Sequence, residues 1–152
     1  MKLLIRIISS FVAVVLLLCS PMIINDIAGF IYRIEITADL DRISETDVLQ
    51  VISGVGHTCG NGDHTELWIG VVVRSGCSRE ELQTALRDMG YPVSDSYYID
   101  TVVVKNFTQL YTSGAMINLN KQFNFSTIAD ADGLYIIEFN KTAPCFLDIR
   151  GA

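Results

Sequence analysis

Eighteen consecutive residues without a charge, Ile7 to Ile24 (IISSFVAVVLLLCSPMII), constrain this chain more than any other feature. Such a run is unstable in water and is near the length that crosses a bilayer core as a helix. Lys2 and Arg6 precede it and Asn25 and Asp26 follow it. The positive flank predicts an N-terminus held in the cytoplasm and an exported remainder. A cleavable signal peptide shares the charged start and the apolar run, but its small-x-small cleavage pattern is poorly met. Pro21 follows Ser20, and Leu18 rather than a small residue precedes Cys19. Residues 1–25 therefore read as a retained anchor, with a signal sequence as the alternative.

A chain of 152 residues has room for one domain and a short appendage, not for two full cores. Half of its residues are hydrophobic, only 18% are charged, and the mean hydropathy is +0.38. Those values exclude a disordered chain. The formal net charge is −6, and because Lys2 and Arg6 lie ahead of the apolar run, the part beyond it is more acidic still. No nucleic-acid partner is expected, since phosphate binding needs a basic surface.

After the anchor, apolar residues recur at near-helical spacing at Ile27, Ile31, Ile34 and Ala38, then at Leu40, Ile43, Val48, Val51 and Ile52. This predicts a stalk helix over 26–53 with a break near 40–44. The β-branched content of YRIEIT also fits an edge strand. On a helix, Phe30, Ile31, Ile34 and Ile36 spread over most of the circumference, whereas one small sheet covers a single stripe. The uncovered side must meet lipid, another copy or a partner helix, so Phe30, Ile31 and Ile34 are the expected interface.

GVGHTCGNGDH reads as a loop, and ELWIGVVVR as a strand from about Glu66 to Arg74. Ser78 and Glu81 form a capping box. Leu82, Ala85, Leu86 and Met89 share one face behind it, and Gly90 and Pro92 end the helix. The segments YYIDTVVVK, SGAMINLN, QFNFST, GLYIIEFN and CFLDIR are strand-like, and short turns imply antiparallel pairing. The fold class is α+β: an N-terminal transmembrane helix extended into a domain with a short helix and an antiparallel sheet. Residues 54–152 form the extracytoplasmic domain.

His57, Cys59, Asp63, His64 and Glu66 are types that ligate zinc, but their spacing matches no specific ligand pair and the second pair of a closed site is missing. Cys59 beside His57 and His64 lacks the orienting motif of a cysteine nucleophile. No catalytic residue, metal site or cofactor is expected, and the chain does not read as an enzyme. Cys19 falls in the apolar run. Of the remaining three cysteines, Cys77 and Cys145 would close a long loop between them and gain most from pairing in an oxidising compartment, with Cys59–Cys77 as a rival.

Pro21 within the apolar run, the stretch LWIGVVVRSGCSREELQTALRDMGYPV, and the tail GAMINLN with LYIIEFNKTAPCFLDI together resemble a type IV pilin-like protein. The similarity is to the type IVb group of toxin-coregulated and conjugative thin pili. The resemblance implies an apolar helix seated in the bacterial inner membrane and extended into a periplasmic or extracellular domain. It implies Cys77 and Cys145 as the paired cysteines, and other copies or pilus and secretion components as partners. A structural or assembly role follows. The acidic balance alone suits an alternative, an exported inhibitor or immunity-type binding module.

Overall fold

The computed structural model describes residues 2–56, 65–96, 100–107 and 132–145. Helix α1 runs unbroken from Lys2 to Leu40, 39 residues, with Pro21 inside it. Pro21 has no N–H to give the Leu17 carbonyl four residues back. The Ser20 hydroxyl donates to that carbonyl at 3.1 Å and keeps it satisfied. Without such a replacement a bare carbonyl in an apolar surrounding would cost several kcal/mol, on the order of an unmade hydrogen bond.

The stalk helix expected over 26–53 is shorter than its apolar spacing suggested. It stops at Leu40, and tight backbone bonds from Arg42 to Asp39 and from Ile43 to Leu40 wind down its last turn. Glu45, at φ 57°, then turns the chain into strand β1, Thr46–Gly56. The correction has a local cause, because Val48, Val51 and Ile52 fit a strand as well as a helix and only the reversal at Glu45 separates the two. YRIEIT is helical.

Strand β2 covers Glu66–Ser75, helix α2 Arg79–Asp88, strand β3 Val102–Asn106 and strand β4 Leu134–Thr142. All pairings in the sheet are antiparallel, in the order β1-β2-β4-β3. Strand β4 thus inserts between β2 and β3. The expected strands over 114–120, 122–127 and 146–150 lie outside the described residues. Gly133, at φ +67°, opens β4, and a Cβ there would fall 2.7 Å from the Ser75 carbonyl oxygen, so the turn requires glycine.

One face of the sheet packs on both helices. Tyr32, Ile36 and Leu40 of α1 and Leu82 and Leu86 of α2 meet Ile69, Val71 and Val73 of β2, Val102 and Val104 of β3, and Tyr135, Ile137 and Phe139 of β4. The opposite face is buried as well, through Trp68, Val72, Val103 and Ile136. Burial on both faces explains why β2 and β4 read as apolar runs rather than alternating ones. On that second face Lys105 forms an ion pair with the buried Glu138.

Helix α2 carries the capping box in full: the Ser78 hydroxyl accepts from the Glu81 N–H, and the Ser78 N–H donates to the Glu81 carboxylate at 2.7 Å. Arg79 ties α2 to β3, donating to the Val104 carbonyl at 2.9 Å.

Two outcomes follow from this packing. Ile36 is fully buried whereas Ile34 is 53% exposed on the same helix. Ile36→Ala should lower the unfolding free energy by about 2–5 kcal/mol, and Ile34→Ala by less than about 0.5 kcal/mol. Denaturant unfolding in micelles, followed by Trp68 fluorescence, measures both. Hydrogen bonds from the Ser78 N–H and hydroxyl hold the Glu81 carboxyl below its usual range. A lowered folded-state pKa contributes stability that is present above the unfolded pKa and lost as pH falls through the folded value. Glu81→Gln should therefore flatten part of the acid-side fall in stability, read by repeating the unfolding at a series of acidic pH values.

Candidate interaction surface

From Ile7 to Ile24 α1 is free of charge, largely apolar and mostly exposed, eighteen residues that rise about 27 Å. By length and composition it can cross a bilayer. The first polar side chain after this stretch is Asn25, which is fully buried. Its Nδ2 donates to the Cys145 carbonyl at 2.8 Å and its Oδ1 accepts from the Cys145 N–H at 3.0 Å. A side-chain amide thus imitates a strand neighbour and satisfies both backbone groups of one residue. The segment after β4 is pinned at the point where the helix turns from uniformly apolar to amphipathic.

Past Asn25 the helix has two faces. Asn25, Gly29, Tyr32, Ile36 and Leu40 turn to the sheet and are buried. Phe30 (63% exposed), Ile31 (50%), Ile34 and Ile27 occupy the arc away from it. Phe30, Ile31 and Ile34 are therefore placed together on an uncovered apolar stripe. Ile36, which the sequence grouped with them, points into the core. The stripe continues the exposed surface of Ile23 and Ile24 without a polar break on the far side of the helix.

A groove runs along each flank of α1. On the β1 side, a groove of about 260 Å³ lies between Asp26, Phe30 and Arg33 of the helix and Ser53, Gly54, Leu67 and Ile69 of the sheet. On the β4 side, Ala28, Ile31, Tyr32 and Glu35 face Lys141, Thr142 and Pro144. There the Lys141 ammonium sits 4.8 Å above the Tyr32 ring, a cation–π contact. Farther along that flank the Tyr91 hydroxyl donates to Asp39 at 2.8 Å, and its ring stands edge-on to Phe139 at 5.3 Å. Burial, and then the bond to the Asp39 carboxylate, push the Tyr91 phenol up from its ordinary pKa. The phenol stays protonated and acts as a structural donor, with no general-base role near neutrality. Asp100, at φ 54°, accepts from the Thr142 N–H at 2.7 Å and from its hydroxyl at 3.1 Å.

The expected Cys77–Cys145 disulfide is not formed; both thiols are free. The cause is the register of β2 on β4. Arg74 pairs with Leu134 and Glu66 with Thr142, so Cys77 follows one end of this ladder and Cys145 the other. The ladder separates them by roughly 25 Å, against the Cα separation of about 7 Å or less that a disulfide needs. Cys77 Sγ instead donates to the Ser44 carbonyl, and the Cys77 carbonyl accepts from the Tyr135 hydroxyl. His57, Cys59, Asp63 and His64 lie outside the described residues, and with them any pairing of Cys59. Glu66 is described, and it is buried at the start of β2. Among the described residues no group of histidine, cysteine and carboxylate side chains is arranged to hold a metal ion.

Sequence reasoning missed the Asn25 clamp and the edge strand β1. Asn25 carried a signal, an uncharged amide directly after an apolar run, but its partner is 120 residues away in sequence. Non-reducing peptide mapping of the full chain is expected to yield Cys77 and Cys145 in separate peptides, and recovery of a linked pair would contradict the register of β2 and β4. No family model, no curated protein and no solved structure matches this chain, so its function has to be argued from the apolar half of α1, the stripe beyond it and the grooves beside it.

Proposed function

We propose that the protein is a membrane-anchored structural or assembly subunit that works through protein–protein contacts, in the manner of a pilin-like minor component of the bacterial inner membrane. Its domain faces the periplasm or the exterior. The observation that carries this reading is the stripe of Ile27, Phe30, Ile31 and Ile34 on α1. It lies beyond Asn25, where the domain already contacts the helix, and remains exposed at half or more of each side chain. A surface of that kind on a helix that continues into a uniformly apolar segment marks a contact with other chains. Lys2 and Arg6 ahead of the span orient it by the positive-inside rule. The anchor and the clamp at Asn25 hold the stripe close to the bilayer surface, where subunits confined to one membrane meet side by side.

Single cysteines at Ile31 and Ile34, in a chain whose four native cysteines are changed to serine, test the contact in intact membranes. Oxidation should give a crosslinked species at one or both positions and none at the control Asp41→Cys. Equal behaviour of all three would remove the interface. A periplasm-dependent reporter fused after Ala152 should be active, and activity of a cytoplasm-dependent reporter there would reverse the topology.

A further inference from the structure

We propose that the outer edge of β1 takes up an extended segment of a partner protein, which adds a strand to the sheet and seats alternate apolar side chains in the groove between β1 and α1. The two edges of the sheet differ. At the β3 edge the Val102 N–H donates to the Pro92 carbonyl and the Val102 carbonyl accepts from the Ser94 N–H, so the segment around Val93 covers it. At the β1 edge no described residue pairs with the outer backbone. This edge is 11 residues long, TDVLQVISGVG, and contains neither lysine nor proline, the residues that commonly block strand addition. An irregularity between Val48 and Gln50 interrupts it once, leaving Val51 to Gly54 regular.

That regular half borders the groove. Ser53 and Gly54 form one rim, Phe30 and Arg33 the other, and Leu67 and Ile69 the floor. A Cβ placed on Gly29 would meet only Leu67, at 3.8 Å, so that glycine leaves the space beside the helix open. Edge backbone beside a groove with an apolar floor, Leu67 and Ile69, and a charged rim, Asp26 and Arg33, is an arrangement in which main-chain bonds give affinity and alternate side chains give specificity.

Symmetry decides against a second copy as the occupant. A two-fold axis pairing β1 with its own copy must run perpendicular to the strand. Strand β1 runs back along α1, from the turn after Leu40 to Ser53 and Gly54 beside Asp26 and Phe30. Such an axis would send the apolar halves of the two helices to opposite sides, whereas two copies anchored in one bilayer are related about its normal. Charge supplies the remaining chemistry. Asp41 and Glu45 are exposed just before β1, Asp47 stands opposite Arg74 in the ladder, and Arg42 is engaged by Asp39. The segment therefore carries a lysine or arginine at the end that meets Asp41 and Glu45. This inference rests on the anchored reading above, which the reporter fusion tests separately.

The test uses the full chain in nanodiscs and a panel of short synthetic peptides alternating valine or phenylalanine with threonine, with lysine at either end. Amide hydrogen exchange is read over β1. The expected result is slowed exchange at Val51 to Gly54 with at least one peptide. Ser53→Trp, which fills the groove from an exposed position, should weaken that peptide about tenfold or more, and Leu49→Lys, at the interrupted exposed position, should weaken it less. Several results would overturn the proposal: no slowing with any peptide, equal slowing in Ser53→Trp, or protection of β1 that rises with protein concentration in the absence of peptide. The last would assign the edge to a second copy. Far-ultraviolet circular dichroism of Ser53→Trp matching the parent keeps loss of binding distinct from loss of fold.

Discussion

One continuous helix changes character halfway along, and the rest of the structure depends on it. The first half of α1 presents apolar side chains all round, as a lipid-facing helix does, while the second half buries Tyr32, Ile36 and Leu40 against the sheet. Because the helix is continuous, the orientation of its buried stripe fixes the rotation of the sheet about the helix axis. No linker intervenes to absorb an error. The Leu17 carbonyl freed by Pro21 could interrupt that continuity, and the Ser20 hydroxyl restores its bond within the same turn.

Apolar packing alone leaves the position of the sheet along the helix loosely defined, since sliding a β-branched surface along a helix by one turn exchanges similar contacts. Polar contacts at the ends of the elements remove that freedom. Asn25 holds Cys145 at one end, Asp39 holds Tyr91 farther along, and Asp100 holds Thr142 beside them. Each contact joins α1 or a neighbouring loop to a segment distant in sequence. Where the group is buried, as at Asn25, a shift of register would leave a donor or acceptor unmatched at a cost of about 1–3 kcal/mol. Glu138 and Lys105 fix the register of β3 on β4 in a similar way, within the sheet.

Structure that is set within a few residues is largely legible in the sequence, and structure set by the assembled sheet is not. The apolar run, the Ser78–Glu81 capping box and the valine-rich strand after Thr65 each announce their structure within a few residues, which is why the α+β class and α2 were legible. The break near 40–44 was legible, and α1 ends at Leu40 within it; the strand that follows was not, because the residues from Val48 to Ile52 satisfy both periodicities and the turn at Glu45 uses a positive φ that no glycine advertises. The cysteine pairing failed for a different reason. Loop closure rewards joining distant residues, but the register of β2 on β4 sets where the chain ends go, and register emerges only when the whole sheet is assembled. Of the candidate interface, Phe30, Ile31 and Ile34 were legible from helical spacing. The groove beside them was not, since it requires β1 to be a strand.

The misread segment is also the one whose placement gives the domain its asymmetry. Had residues 46–56 continued the helix, β2 would have been an edge strand with a long apolar run, Leu67 to Val73, and the sheet would have had no groove on that side. As a strand, β1 shields β2 and takes over the exposed edge with a sequence less apolar and interrupted once near Leu49. The edge, the groove and the apolar stripe of α1 then lie on adjoining sides of one helix, with Phe30 bordering both. A partner that engages the stripe approaches the groove from the same direction. A partner on the stripe and a strand added at β1 would both touch Phe30, so the two proposed contacts are coupled through that side chain.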